Sequence, residues 1–180
     1  MEFKEIKKIF EKFGDKVVAN AKNNLSKKIK NSSGNLAKSI DYKIKQNNQS
    51  ITLSFIMEDY GDFQDKGVKG AYSTYPGILK NNKNTFYKYR KSTNPFSKGA
   101  KVVPPSSAFD KWGVRQGLAP RTKGGQFKSR TALNFALARS VYEKGIKPKY
   151  FFTNAFNRAF NQLPKDLEFA LIIEITDNIE

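Results

Sequence analysis

Apolar residues recur at steps of three and four near the start of the chain: Phe3, Ile6, Phe10, Phe13, Val17, Ala21, Leu25 and Ile29. This spacing predicts one long amphipathic helix over 2–29, about 42 Å at 1.5 Å per residue. Lys and Glu fill its other faces, and Gly14 marks a candidate bend. The stripe suits a core face or subunit contact better than a membrane surface, because Glu2, Glu5, Glu11 and Asp15 lie among the lysines. Ser32, Ser33 and Gly34 then supply turn chemistry, and the helix is expected to stop there. The period now changes from 3.6 to 2. Ile40, Tyr42 and Ile44 alternate with polar residues, and Ile51, Leu53 and Phe55 do so again after "QNNQS". A β-hairpin with strands at 39–45 and 50–57 and one apolar face follows. A two-stranded sheet needs a cover, which the N-terminal helix would supply.

Periodicity fades after residue 57. Residues 71–105 mix Gly, Pro, Asn and Ser with Tyr72, Tyr75, Phe86, Tyr87, Tyr89 and Phe96. So long an irregular stretch is usually functional or disordered, and it reads as an extended arm. In "PPSSAFDKWGVRQGL", Ser106 or Ser107 would cap a short helix, Asp110 would favour its first turn, and Phe109, Trp112 and Val114 would pack inward. "APRTKGGQFKS" reads as a basic glycine-rich turn. A helix follows over "SRTALNFALARSVYEKG", with Leu133, Phe135, Ala136 and Val141 as its apolar side and Gly145 as its stop. Phe152, Ala155, Phe156, Ala159 and Phe160 predict another, and Pro164 fits the first turn of a last one. "ALIIEI" fits helix and strand alike, so 167–176 stays open between them. The fold class expected is α+β: a small antiparallel sheet packed by long N- and C-terminal helices, with a long extended basic insertion arm. Its divisions are 1–70 (helix and hairpin), 71–128 (arm) and 129–180 (helices completing the core).

The 180 residues suit one domain with an appendage. The chain has no Cys and no His, which excludes disulfides, Ser-His-Asp catalysis and imidazole metal ligands. No apolar run approaches the roughly 20 residues that cross a bilayer, and the N-terminal stretch is too charged for a secretory leader. A soluble, cytoplasmically made protein with no membrane partner is expected. The net charge is +17, and its placement matters more than its size. Residues 1–69 hold 14 Lys/Arg and 9 Asp/Glu, residues 70–130 hold 13 and 1, and residues 131–180 hold 6 and 6. The middle block implies an acidic neighbour: nucleic acid, a membrane surface or an acidic protein face.

Three chemistries present themselves. Tyr87, Lys88, Tyr89, Arg90, Lys91, Trp112, Arg115, Arg121 and Lys123 combine aromatics with cations. They suit anchors on a neighbouring protein, or stacking by Tyr87, Tyr89 and Trp112 on single-stranded nucleic acid beside phosphate contacts. Glu58, Asp59, Asp62 and Asp65 form a carboxylate run. A metal-dependent nuclease would use Asp59, Asp62 and Asp65, but four acids in so basic a chain more often pair with lysines. No cofactor motif is present, and no cofactor or metal is expected.

Three stretches in order then suggest a family. "SSGNLAKSI" carries Ser33, Gly34, Leu36, Ser39 and Ile40; "YGDFQDKG" carries Tyr60, Phe63 and Gly67; "GIKPKYFFTNAFNRAF" carries Pro148, Phe151 or Phe152, Ala155 and Phe156. Together they resemble the neck proteins of tailed bacteriophages, the head–tail joining and tail-completion family. "KWGVRQGL…TALNFALARSVYEKGIKP" is similar to an insertion in some of them. "FQDKG" replaces the family's Glu–Phe–Gly–Thr-like ending, and the middle segment is longer and more basic. The resemblance implies a structural virion protein, not an enzyme, that forms a homo-oligomeric ring at the neck. Portal or connector and tail proteins would be its partners, with phosphate contacts to packaged DNA. It would lie in the virion after assembly in the host cytoplasm.

Overall fold

The computed structural model describes residues 4–29, 33–47, 49–72, 87–95 and 103–177. Glu2, Phe3, Ser32, Tyr75, Phe86 and Phe96, singled out above, lie outside the described residues. In chain order the elements are α1 (Lys4–Lys28), α2 (Asn35–Ser39), β1 (Asp41–Gln46), β2 (Ile51–Ile56), α3 (Tyr60–Lys66), β3 (Val68–Lys69), a 3₁₀ turn (Ser106–Phe109), α4 (Asp110–Arg115), α5 (Arg130–Lys144), β4 (Gly145–Ile146), α6 (Phe151–Phe160) and α7 (Leu163–Asp177). The fold is α+β, with a long N-terminal helix, C-terminal helices and small antiparallel sheets.

The chain forms two compact units, one of residues 1–61 with 149–180 and one of residues 62–148. Helix α5, grouped above with the C-terminal core, falls in the second unit, as does the 71–128 stretch read as an arm. Among its described residues, Tyr72, Tyr87 and Tyr89 have ring partners within 62–148.

In the first unit α1 packs on β1, β2, α6 and α7. Its stripe is the one its spacing predicts: Ile6, Phe13, Val17, Ala21 and Leu25 are buried. β1 and β2 pair antiparallel, with Tyr42 opposite Phe55 and Ile44 opposite Leu53, so the half-buried positions of both strands share one face. Asn47 closes the turn: its side-chain oxygen accepts from the Gln49 and Ser50 amides at 3.0 and 2.7 Å. Two clusters make the core. Ala21, Leu25, Leu36, Ile40, Phe151 and Ala155 form one; Phe13, Val17, Ala159 and Leu163 form the other. Phe55 links hairpin to helices through edge-on contacts with Phe13 (6.0 Å), Phe152 (5.3 Å) and Phe156 (6.0 Å). Each such pair adds about 0.5–1.5 kcal/mol beyond the area it buries.

One detail differs from the sequence pattern, and one that the pattern leaves open has a definite outcome. Residues 35–39 form a short helix before β1, held by the Lys38 amide on the Gly34 carbonyl (3.0 Å) and the Ser39 hydroxyl on the Leu36 carbonyl (2.9 Å). Residues 167–176, open between helix and strand, are helical within α7, with Leu163 and Ala170 turned inward.

Gly14 does not end or divide α1. It admits the hairpin: a β-carbon there would stand 2.8 Å from the Tyr42 ring. Gly14→Ala should therefore destabilise the protein by about 1–3 kcal/mol, despite roughly 1 kcal/mol of added helix propensity. With Tyr42→Ala already present, the same change should become stabilising by up to about 1 kcal/mol. Urea denaturation of the four proteins closes this cycle, and an equal loss in both backgrounds would show that the ring is not the obstacle.

The Tyr42 hydroxyl donates to Asp15 Oδ1 at 3.0 Å. Lost hydration, then this bond and the negative charge of Asp15, push its pKa from 10.0 up to about 12. The folded state thus holds the phenolic proton more tightly than the unfolded one. The resulting stability is complete below pH 10 and declines as pH rises through 12. Urea midpoints should fall less steeply across that window for Tyr42→Phe than for the parent protein.

Candidate interaction site

The second unit is built around a small sheet. β3 and β4 pair antiparallel, Val68 with Ile146 and Lys69 with Gly145. Residues 87–89 join the free edge of β3: the Lys69 amide donates to the Tyr87 carbonyl (3.0 Å), and the Tyr89 amide to the Lys69 carbonyl (2.9 Å). An extended backbone alternates its side chains, so Tyr87 and Tyr89 are half-buried while Lys88 and Arg90 are exposed.

Both tyrosines have partners inside the unit. The Tyr87 ring meets Phe63 edge-on at 4.5 Å, and its hydroxyl donates to Asp62 Oδ2 at 3.3 Å. The Tyr89 ring meets Tyr142 edge-on at 5.9 Å, and burial pushes its phenol pKa up. Tyr142 is the centre of the arrangement. It is fully buried; its hydroxyl donates to the Arg90 carbonyl (3.1 Å) and accepts from the Ser92 amide (3.2 Å). Its ring also meets Tyr72 at 6.1 Å, over which Lys91 Nζ lies at 5.7 Å. Tyr87 and Tyr89 are thus packed within the unit, whereas Lys88, Arg90 and Lys91 are exposed.

Helix α5 follows its expected limits but not its expected stripe. Ser129 caps it by accepting from the Thr131 amide (3.2 Å), and Gly145 ends it. The buried positions are Asn134, Ala138 and Tyr142, with Leu133 and Val141 half-buried and Phe135 and Ala136 exposed. The reason is polar. Asn134 Nδ2 donates to Asp110 Oδ1 (3.4 Å), and Tyr142 bonds to the 90–92 backbone. Hydrogen bonds thereby help to orient a helix that leaves Phe135 and Ala136 of its predicted apolar side exposed.

Neither Ser106 nor Ser107 is the N-cap of the 3₁₀ turn; Pro105 holds that position with no side-chain bond. Phe109 is half-buried as expected, but Trp112 and Val114 face outward, at 41% and 55% exposed, because the buried residue of α4 is Gly113. Arg115 is exposed in the helix's last turn. The glycine-rich loop is a tight hairpin. Thr122 donates through its amide to the Gln126 carbonyl (2.8 Å), and the Gly125 amide donates back to the Thr122 carbonyl (3.0 Å). Gly125, at φ 82°, supplies the left-handed residue such a turn requires. Arg121 lies over the Phe127 ring at 4.1 Å, and Lys123 is exposed at the tip.

The carboxylates divide. Asp62 pairs with Lys66 (3.2 Å) as well as Tyr87, Asp65 is buried, and Asp59 is exposed. Among the described residues no group of three or more acids could hold a metal ion, and no helix is long and apolar enough to cross a membrane.

The family-motif positions fall into two groups. In the first unit Gly34 precedes α2 at φ 76°, and Leu36 and Ile40 share a buried cluster with Phe151 and Ala155. The Ser39 hydroxyl also accepts from the Glu58 amide (3.1 Å), which fixes the exit of β2. Phe151 is the fully buried phenylalanine of its pair, and Phe152 packs half-buried against Phe55. Ser33 and Tyr60 are exposed. In the second unit Gly67 stands at φ 76°, where a β-carbon would lie 2.6 Å from the Ile146 carbonyl and 2.8 Å from the Pro148 nitrogen. The sequence pattern missed Tyr142 and Asn134, since neither polar residue advertises a core position. No family model, curated protein or solved structure matches the chain.

Tyr142→Phe keeps the ring contacts and removes both hydroxyl bonds. A loss of about 1–3 kcal/mol is expected. In hydrogen exchange the Ser92 amide should lose protection while β1 and β2 amides keep theirs. Unchanged protection at Ser92 would show that the hydroxyl does not hold this segment.

Proposed function

We propose that the chain is a structural protein of a tailed-phage virion, forming a ring at the head–tail neck and joining portal or connector proteins to the tail. One observation carries the reading: motif stretches far apart in sequence pack together. Leu36 and Ile40 of the first lie in one cluster with Phe151 and Ala155 of the third. Gly67 of the second lies against Pro148 of the third, so closely that a β-carbon there would be crowded. Motif residues that meet this way support a shared framework. The chemistry of the described residues suits assembly: exposed cations on Lys88, Arg90, Arg115 and Lys123, and exposed aromatic surface at Trp112. Contacts of such cations with packaged DNA would be to phosphates and independent of sequence.

The alternative is a nucleic-acid-binding protein without sequence preference, favoured by the 13 Lys/Arg and single acid of residues 70–130. Stacking by Tyr87 and Tyr89 has little support, since both rings have internal partners. Phosphate binding remains, and would give DNA affinity that falls steeply with salt.

Quantitative mass spectrometry of purified particles, counted against the major capsid protein, tests the neck reading. A low, fixed copy number matching one small ring is expected. Absence from the particles would sink it.

A further inference from the structure

Helix α7 is apolar on more sides than its own unit covers. Leu163 and Ala170 are buried and Leu167 half-buried, which accounts for one stripe. Phe169, Ile172 and Ile173 are 72%, 58% and 45% exposed. Spaced i, i+3 and i+4, they form one outward ridge. Scattered exposed apolar residues are ordinary, whereas a contiguous group marks a binding surface. The helix is also acid-rich: Asp166, Glu168, Glu174 and Asp177 against Lys165 alone.

Residues 106–130 are the inverse. They carry six Lys/Arg and one acid, Asp110, which already pairs with Arg130 at 3.5 Å. Trp112, Val114, Leu118 and Phe127 are exposed among these cations. Both surfaces combine an apolar centre with charged neighbours, in opposite sign.

We propose that α7 of one copy docks on the 106–130 surface of the next. Charge selects this pairing. α7 against α7 would oppose two acidic helices, and 106–130 against itself would oppose two cationic surfaces, whereas the cross-pairing is attractive. Because the two surfaces differ, the contact is head-to-tail, and it repeats from copy to copy until a ring closes. For that closure the inference rests on the neck reading, which it deepens by naming the two surfaces.

The test mixes full-length protein of natural isotope content with a ¹⁵N-labelled copy and applies a zero-length carbodiimide. Mixed-isotope cross-links are expected between Asp166 or Glu168 and Lys111, Lys123 or Lys128. They should fall at least tenfold at high salt, and equally in Phe169→Ser/Ile172→Ser, whose substitutions are at exposed positions. Same-copy cross-links alone would overturn the proposal, as would mixed cross-links indifferent to the double substitution. Protection of the 106–130 lysines by duplex DNA without any copy-to-copy cross-link would overturn it in favour of nucleic acid. The particle count fails separately. Chain present in particles without mixed cross-links removes this docking and leaves the neck reading; mixed cross-links from a chain absent from particles do the reverse.

Discussion

The first unit depends on the contact between α1 and α6, which come from opposite ends of the chain. Ala21 and Ala155 are fully buried there, and so is Phe151. Small side chains let helix backbones approach, and a buried phenylalanine beside them contributes on the order of 3–5 kcal/mol. The entry to α6 is built for this contact. Tyr150 adopts the left-handed conformation at φ 47° and ψ 39°, an arrangement that costs a non-glycine residue roughly 1–2 kcal/mol. Asn24 holds the following turn by donating to the Phe151 carbonyl at 3.1 Å, and Lys28 donates to the Lys149 carbonyl. Burial and two hydrogen bonds offset the strain, and the hairpin then rests on a helix pair already fixed.

The second unit solves a different problem. It is strongly basic and has little aliphatic core among its described residues, so tyrosines do much of the packing. Tyr142 joins three stretches through one ring and one hydroxyl. The same rings that looked available for a partner are consumed in holding the chain, and the charges between them are left outside. Internal cohesion and external charge therefore alternate along one extended strand.

What was legible in the sequence was whatever rested on apolar periodicity. The stripe of α1, the hairpin with its polar turn, and the helix beginning at residue 151 or 152 all follow spacing that burial alone explains. The failures share a cause. The inward face of α5 is set by Asn134 and Tyr142, whose burial needs partners from 90–92 and Asp110 that no local pattern reveals. The apolar character of Trp112 and Val114 predicts inward positions, yet glycine occupies the tight position in α4. Helix α2 rests on Ser39 bonding back to Leu36, a contact too short in range to show in periodicity. The candidate surface was legible in charge, not in which of its aromatics stay accessible.

The inserted unit has its own two ends together: β3 lies beside β4, and Gly67 against Pro148. This bears on the order of folding. The contact of α1 with α6 must close a loop containing all of residues 62–148. Loop-closure entropy grows with the logarithm of length, so an unfolded insert adds about 1 kcal/mol to closing this contact, whose partners Asn24 and Phe151 stand 127 residues apart. Once the insert has folded and pinned its ends, most of that term disappears. The basic middle of the chain thereby joins the two segments that flank it, and the contact of α1 with α6 becomes one of shorter effective range.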